Sequence, residues 1–524
     1  MDTRRRMSLL FVFVLTVTLL TGSSYAIPAF SRQYGTSCST CHIDFPKLND
    51  FGKAFKDAGF KFPKDDETFI KIPPVMLGSP AQKELWPQRS IFPGTIPGIP
   101  QIGLRYNQFF QYTGSSANKY YSSQILAGTQ PGTLLSPIVP NTDFEPGFFS
   151  IFMAGNFGSD IAFWVDDDLS VFGANSNGSL GDGYLRFVNI GRFFKLPTDA
   201  LTLRVGQFEL DLPFTQARSI NISPYDVYTQ ANFGASNQNV SNVIELADAA
   251  HGIEFSGGHQ YGGYRYSVAL VDQNTSGSAA SPPNAPSPTG GTSGGVGFVS
   301  DTNYKDIYAN FSYRLNLEKD PASRHDVQAA GATGPRDHTY LSLGTFYYEG
   351  RSAQRYSAAA GGAASVITAR EPFYRLGGDF SFNYRTFNLF GLYMYGHDHD
   401  LLLNPTFTGF IPGAAATFNG GFLEADYLVL PWVMTILRYD RVQSTADFLN
   451  QAGSTNYFSP AGSTRNRFTP GVQFLIHPNI KASFEYQFRP SQSVIFGTNP
   501  VTGLPVALNP FHTNTAVAGL EFVY

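Results

Sequence analysis

Five consecutive residues carry the plainest chemistry in the chain: Cys38-Ser39-Thr40-Cys41-His42. Two thiols on one short turn, with an imidazole directly after the second, form the C-x-x-C-H pattern of covalent c-type haem attachment. Each thiol can form a thioether to a haem vinyl group, and the histidine then sits under the ring to ligate the iron. Potential and reactivity depend on the other axial ligand and on the surrounding dielectric. Cys38 and Cys41 are the only cysteines in 524 residues, so no others suggest disulfides or a zinc site. A thioredoxin-like redox pair needs a βαβ context, and the neighbouring sequence shows none. Half a zinc site would lack its second Cys/His pair.

Other ligand types are scattered. Met76, in Pro-Pro-Val-Met-Leu, offers a thioether as sixth haem ligand. A buried apolar methionine is the alternative, and Met153, a lumen-side histidine or no protein ligand also stay open. His397-Asp398-His399-Asp400 is the one dense cluster of metal-type side chains. Imidazole and carboxylate suit Fe(II), so His397 and His399 are candidates for a transient iron site, against the reading of a solvated loop tip. Asp166-Asp167-Asp168 is placed similarly and has a weaker claim. Arg32 and Lys53 are candidate partners for haem propionates, or ordinary surface charges. No Ser-His-Asp, Walker or Rossmann pattern stands out, so no catalytic residue is assigned.

The elements that must hold these residues fall into four stretches. Residues 1–26 read as a secretory signal peptide: Arg4-Arg5-Arg6, an apolar run from Ser8 to Leu20, and Ser24-Tyr25-Ala26 for cleavage. The run is too short to span a bilayer. Loss of three arginines and one aspartate with it shifts the formal charge from −4 to −6, which disfavours nucleic acid as a partner. Residues 27–72 form a small c-type cytochrome unit. Phe45, Leu48, Phe51 and Phe55 recur at helical spacing, with Pro46 suited to the first turn and Gly59 to the position past the end. So short a stretch buries little surface unaided, and a haem would complete its core. Residues 73–100, with seven prolines, read as an extended connector.

From residue 101 to 524 the pattern becomes two-residue alternation. Ile480, Ala482, Phe484, Tyr486 and Phe488 alternate with Lys481, Ser483, Glu485, Gln487 and Arg489. Such segments of about 10 residues cross an outer membrane, apolar side out and polar side in. Sixteen start near residues 101, 147, 160, 183, 200, 250, 263, 303, 338, 371, 387, 418, 432, 467, 479 and 513. Connections alternate short (Arg385-Thr386, Leu430-Pro431, His477-Pro478) and long (114–146, 211–249, 274–302, 398–417, 445–466, 491–512), as periplasmic turns and outer loops do. A composition of 15% aromatic and 15% charged residues, 52 glycines and a mean hydropathy of −0.13 fits a barrel with a wet interior. The expected fold is therefore all-β: a transmembrane antiparallel barrel of about 16 strands, with a small helical cytochrome domain plugging its lumen. Its place is the bacterial outer membrane. Both termini face the periplasm, or the N-terminal domain lies within the barrel.

Residues 26–56, AIPAFSRQYGTSCSTCHIDFPKLNDFGKAFK, resemble the N-terminus of the fused cytochrome–porin family of outer-membrane iron(II) oxidases. Pro28, Phe30, Arg32, Gln33, Gly35, Cys38, Cys41, His42, Phe45, Pro46, Leu48, Phe51, Gly52, Phe55 and Lys56 fit that family's pattern. Ser31 and Lys53 replace its usual Ala and Arg. The match spans about 30 residues; the barrel is similar only in architecture. The resemblance implies one haem c in a domain plugging a 16-stranded barrel. Electrons would pass across the outer membrane between an extracellular reductant such as Fe(II) and a periplasmic electron-carrier cytochrome. The alternative is a diffusion porin whose haem-bearing plug gates or senses.

Overall fold

The computed structural model describes residues 29–44, 46–62, 75–76, 95–96, 101–113, 142–157, 160–170, 179–215, 220–229, 233–235, 240–242, 249–259, 261–272, 304–317, 339–358, 365–402, 414–444, 465–477, 479–488, 496–498, 505–507 and 514–523. The signal peptide, Phe45 and the loop 274–298 lie outside them. The N-terminal segment forms α1 (Ala29–Tyr34), the short pair β1 (His42–Asp44) and β2 (Lys47–Leu48), and α2 (Asp50–Asp57). Two residues at each end of the proline-rich connector, β3 (Val75–Met76) and β4 (Thr95–Ile96), pair as antiparallel strands, where the sequence suggests only extended chain.

The barrel strands follow. They are β5 (Gln101–Thr113), β6 (Thr142–Phe157), β7 (Ile161–Ser170), β8 (Ser179–Phe187) and β9 (Thr202–Glu209). After a small hairpin of β10 (Phe233–Ala235) and β11 (Val240–Asn242) come β12 (Ala249–Gly258), β13 (Gly263–Asp272), β14 (Asp306–Asn316), β15 (Tyr340–Ala358) and β16 (Ser365–Tyr384). Then come β17 (Phe387–Leu402), β18 (Ala414–Leu430), β19 (Val433–Ser444), β20 (Arg465–His477) and β21 (Ile480–Gln487). A second hairpin, β22 (Phe496–Thr498) with β23 (Pro505–Ala507), precedes β24 (Thr515–Val523), which pairs with both β21 and β5 and closes the ring.

Sixteen antiparallel strands thus form one closed barrel. Closure satisfies every ladder edge, the condition for strands to cross lipid. The period-2 alternation sets the two faces. On β21, Lys481, Ser483 and Glu485 are buried inward while Phe484 and Tyr486 are exposed outward. This is the architecture of outer-membrane porin-type channels, and it places the protein in an outer membrane. Several strands start earlier than the apolar alternation does: β6 at 142, β16 at 365 and β18 at 414. Backbone pairing continues past the lipid belt, where outward residues need no longer be apolar.

Two pieces of chain fill the lumen. The first is the N-terminal segment. Lys47 Nζ lies 2.6 Å from Asp426 on β18, and Asp50 meets Arg314 on β14 at 2.7 Å. Asp57 meets Arg265 on β13 at 3.3 Å, and Arg186 on β8 donates to Lys56 O at 2.7 Å. These partners sit all round the wall, so residues 29–44 and 46–62 lie inside the barrel. Their core is aromatic: Tyr34, Phe51, Phe55, Phe60 and Phe62 pack together and against Ala154 and Ala162, the small wall residues that make room. Helix α2 starts later than the sequence suggests. Asn49, not Pro46, sets its start, with Oδ1 accepting from Gly52 N at 2.9 Å. Pro46 instead lies in the turn of the β1–β2 pair. Gly59 does end the helix, at φ +80°.

The second piece is residues 211–215 and 220–229, expected in an outer loop. They fold back into the barrel because their apolar residues do not alternate. Leu210, Leu212, Ile220, Tyr225, Val227 and Tyr228 can be buried only by leaving the wall, and all are. A short helix, α3 (Asp226–Thr229), ends this return. Glu485 holds the segment by accepting from Ile222 N (2.6 Å), Ser223 N (3.0 Å) and Ser223 Oγ (2.6 Å). Arg438 donates to Ser223 O at 2.9 Å, and Arg467 pairs with Asp226 at 2.8 Å. Glu485→Ala strands the buried Ser223 N–H at about 1–3 kcal/mol and also removes the acceptor of the half-buried Ile222 N–H. It will loosen this segment, and planar-bilayer recordings will show a larger conductance than wild type.

Candidate functional site

The plug presents Cys38, Cys41 and His42 to a cavity of about 610 Å³ in the lumen. That volume lies within the roughly 300–1,000 Å³ of ordinary cofactor pockets. Plug residues Phe30, Tyr34, Leu48, Phe55 and Phe60 form its apolar side. The wall contributes Phe152, Trp164, Tyr340 and Phe390, and the in-folded segment adds Leu212, Phe214 and Tyr225. Its reach runs from Asn479, Lys481 and Val523, at the short-turn rim, up to the in-folded segment.

The Cys-x-x-Cys-His turn is tightly determined. Cys38–Thr40 is one 3-10 turn, closed by Cys41 N to Cys38 O at 3.1 Å. Asn49 ties this turn to α2: its backbone N–H donates to Cys41 O (2.9 Å) and its Nδ2 to Thr40 O (3.0 Å). Gly52 allows the approach, since a Cβ there would collide with Cys41 O. Gly52→Ala must push the turn off the helix. Its expected result is faster protease cleavage within the plug than in the wild type under the same conditions, read on gels.

Both cysteines are free thiols, and burial pushes both above their ordinary range, Cys41 to about 12 with Cys38 adding to the effect. A thiol–disulfide exchange pair needs the opposite shift, toward thiolate. His42 is held neutral: burial lowers it to about 4, against the Pro46 carbonyl, which favours the proton. Its Nδ1 lies 3.2 Å from Pro46 O. Donation there places the proton on Nδ1, the tautomer that many metal-bound histidines use. The two thiols, the oriented neutral imidazole and the aromatic cavity fit a haem c.

The remaining sequence candidates separate. Lys53 lines the cavity, 3.3 Å from Asp50, whereas Arg32 donates to Ile102 O at 2.9 Å and fastens the plug to β5. Met76 lies in β3, and its side chain falls outside the described residues. Met153 faces out of the barrel, since Ser150 and Phe152 on the same strand line the cavity. His397 and His399 also face outward, on the same side of β17 as exposed Tyr393. Their rings are 4.3 Å apart, and His397 stacks on Tyr374 at 5.3 Å, so the pair belongs to the outer wall and not the lumen. Among the described residues no group of three or more His, Cys, Asp or Glu is placed to hold a metal ion. Asp166 is inside, accepting a hydrogen bond from Asp182 N.

Sequence reasoning missed the in-folded segment over the cavity and the cations that line the cavity. Arg105 and Lys481 share Glu521 at 2.6 and 3.0 Å, and Arg265 joins Asp57 of the plug to Asp211 of the in-folded segment, at 3.3 and 2.7 Å. Their signal was present as charged residues at inward positions of strands 101–113, 263–272 and 480–487.

No family model and no curated protein matches the chain. Solved outer-membrane barrels do. OmpT of Vibrio cholerae is 10% identical, covering 83% of this chain and 99% of its own, with a TM-score of 0.43. An anion-selective porin of Comamonas acidovorans is 14% identical, with coverages of 81% and 98% and a TM-score of 0.42. OmpF of Salmonella typhi, in complex with daunomycin, is 9% identical, with coverages of 82% and 98% and a TM-score of 0.44.

Proposed function

We propose that this porin-type barrel carries electrons across the outer membrane through one covalently bound haem c. The donor is an extracellular reductant such as Fe(II), and the acceptor is a cytochrome in the periplasm. One observation carries the reading: both thiols and the imidazole of C-x-x-C-H face a single cavity inside the barrel. A haem c held there would supply a one-electron centre within a lipid belt about 25 Å tall, where a group hanging below the barrel would leave that thickness uncrossed. The chain's own parts favour this use. Cys38 and Cys41 would hold the group through thioether sulfurs, and His42, oriented by Pro46 O, would ligate its iron. Phe214, Tyr225 and Phe390 cover the cavity from above and limit water. Lys53, Arg105 and Lys481 line the same cavity and offer cations to which propionates could pair.

A diffusion porin with a sensing or gating plug is the second reading, favoured by the barrel itself, because sixteen strands enclose an aqueous lumen when unfilled. Adding Fe(II) to the purified oxidised protein and following the visible spectrum separates the two. Appearance of the sharp α-band of reduced cytochrome c supports the conduit. A spectrum that stays oxidised, together with measurable conductance of small solutes in planar bilayers, supports the gated pore.

A further inference from the structure

We propose that the turn between β8 and β9 is a phospholipid anchor on the short-turn rim of the barrel. The proposal rests on the outer-membrane placement of the barrel and is independent of haem.

Ile190–Phe194 is a 3-10 turn bounded by two left-handed non-glycine residues, Asn189 (φ 56°) and Lys195 (φ 59°). Such backbone persists only where the surroundings fix it. Here Lys195 N donates to Arg192 O (3.1 Å), Leu196 N to Gly191 O (3.0 Å) and Gly191 N to Leu201 O (3.3 Å). Arg192 also pairs with Asp160 on the neighbouring turn at 2.7 Å. This rigid frame displays Phe193 and Phe194 at 72% and 69% exposure, well above the outward wall residue Phe484 at 49%. Leu196 is exposed beside them. Two adjacent phenyl rings fixed in water are unfavourable, and burial elsewhere would relieve them.

Position selects the occupant. A Cβ on Gly191 would touch Leu201, and Leu201 shares its face with Leu203 and Val205, which point out of the barrel, while Thr202 and Arg204 point in. The turn therefore packs against the outer wall, in continuity with the lipid-facing surface, and does not cross the barrel mouth. Arg192 and Lys195 flank the phenyl rings and are exposed. Apolar rings beside cations match the interface of a leaflet, with rings among acyl chains and cations at phosphates.

The test uses the full chain in vesicles of phosphatidylethanolamine and phosphatidylglycerol. Phe193→Trp adds an indole at the tip; emission is compared with wild type in plain vesicles and in vesicles whose acyl chains carry bromine. Subtracting the wild-type emission in each lipid removes the native tryptophans, among them the outward Trp432, and comparing the two lipids removes any haem quenching. The expected result is at least twofold quenching of the added emission by brominated lipid, with little effect of aqueous iodide. Phe194→Trp repeats the measurement if the first variant fails to insert. Added emission untouched by bromine and quenched by iodide overturns the proposal and leaves the pair as a contact for a soluble protein.

Discussion

Cys38→Ala combined with Cys41→Ala will yield a barrel that inserts and remains heat-modifiable on gels, yet retains no haem after denaturation. The loss should be complete, because these are the only two thiols in the chain. Folding should survive. The barrel closes through residues 101–523, and the plug is held by Lys47–Asp426, Asp50–Arg314 and Asp57–Arg265, none of which involves sulfur. His42→Ala should give a different outcome: haem stays covalently bound, but its spectrum changes with the loss of the imidazole. Pyridine haemochrome spectra of the denatured proteins distinguish the variants. Denaturation-resistant colour in the double cysteine variant would refute thioether attachment.

Arg314→Ala should have the largest effect on the plug. The guanidinium makes two 2.7 Å bonds to Asp50 and lies 3.5 Å from the Tyr340 ring centroid. Removing one partner of such a buried pair costs about 3–5 kcal/mol, since the other charge is left behind. Lys53, 3.3 Å from Asp50, offsets part of this. The expected readout is protease cleavage within residues 29–62 under conditions where the wild type resists, together with raised conductance. The same pair sets a pH limit. Burial acts to raise the Asp50 carboxyl, but Lys53 and Arg314 outweigh it and hold it below the usual carboxylate range. A depressed carboxylate stabilises fully above its unfolded value of about 3.9 and progressively less below it. Plug retention should therefore be flat from neutral pH to about 4 and fall in more acid solution, and the protease assay run against pH checks it.

The barrel was legible because lipid outside and water inside impose a strict alternation. The starts of β5, β13 and β17 at 101, 263 and 387 coincide with the pattern, and Lys481 and Phe484 face the sides the alternation assigns. The Cys-x-x-Cys-His turn was legible through spacing alone. What alternation could not reveal is what fills the lumen. Residues 211–229 look like any long connection until Leu212, Phe214 and Tyr225 meet Phe390 and Phe422. The helix start was misplaced because Pro46 and Asn49 both signal one, and only the β1–β2 pairing decides between them. His397 and His399 were legible as neighbours, but spacing does not say which wall face they occupy; Tyr374 shows that it is the outer one.

Liposomes that enclose oxidised soluble cytochrome c, with Fe(II) supplied outside on beads too large to pass any pore, test the central claim most directly. The account predicts reduction of the enclosed cytochrome by the wild-type protein and none by the double cysteine variant. Reduction at equal rates by both, or by neither, would contradict it.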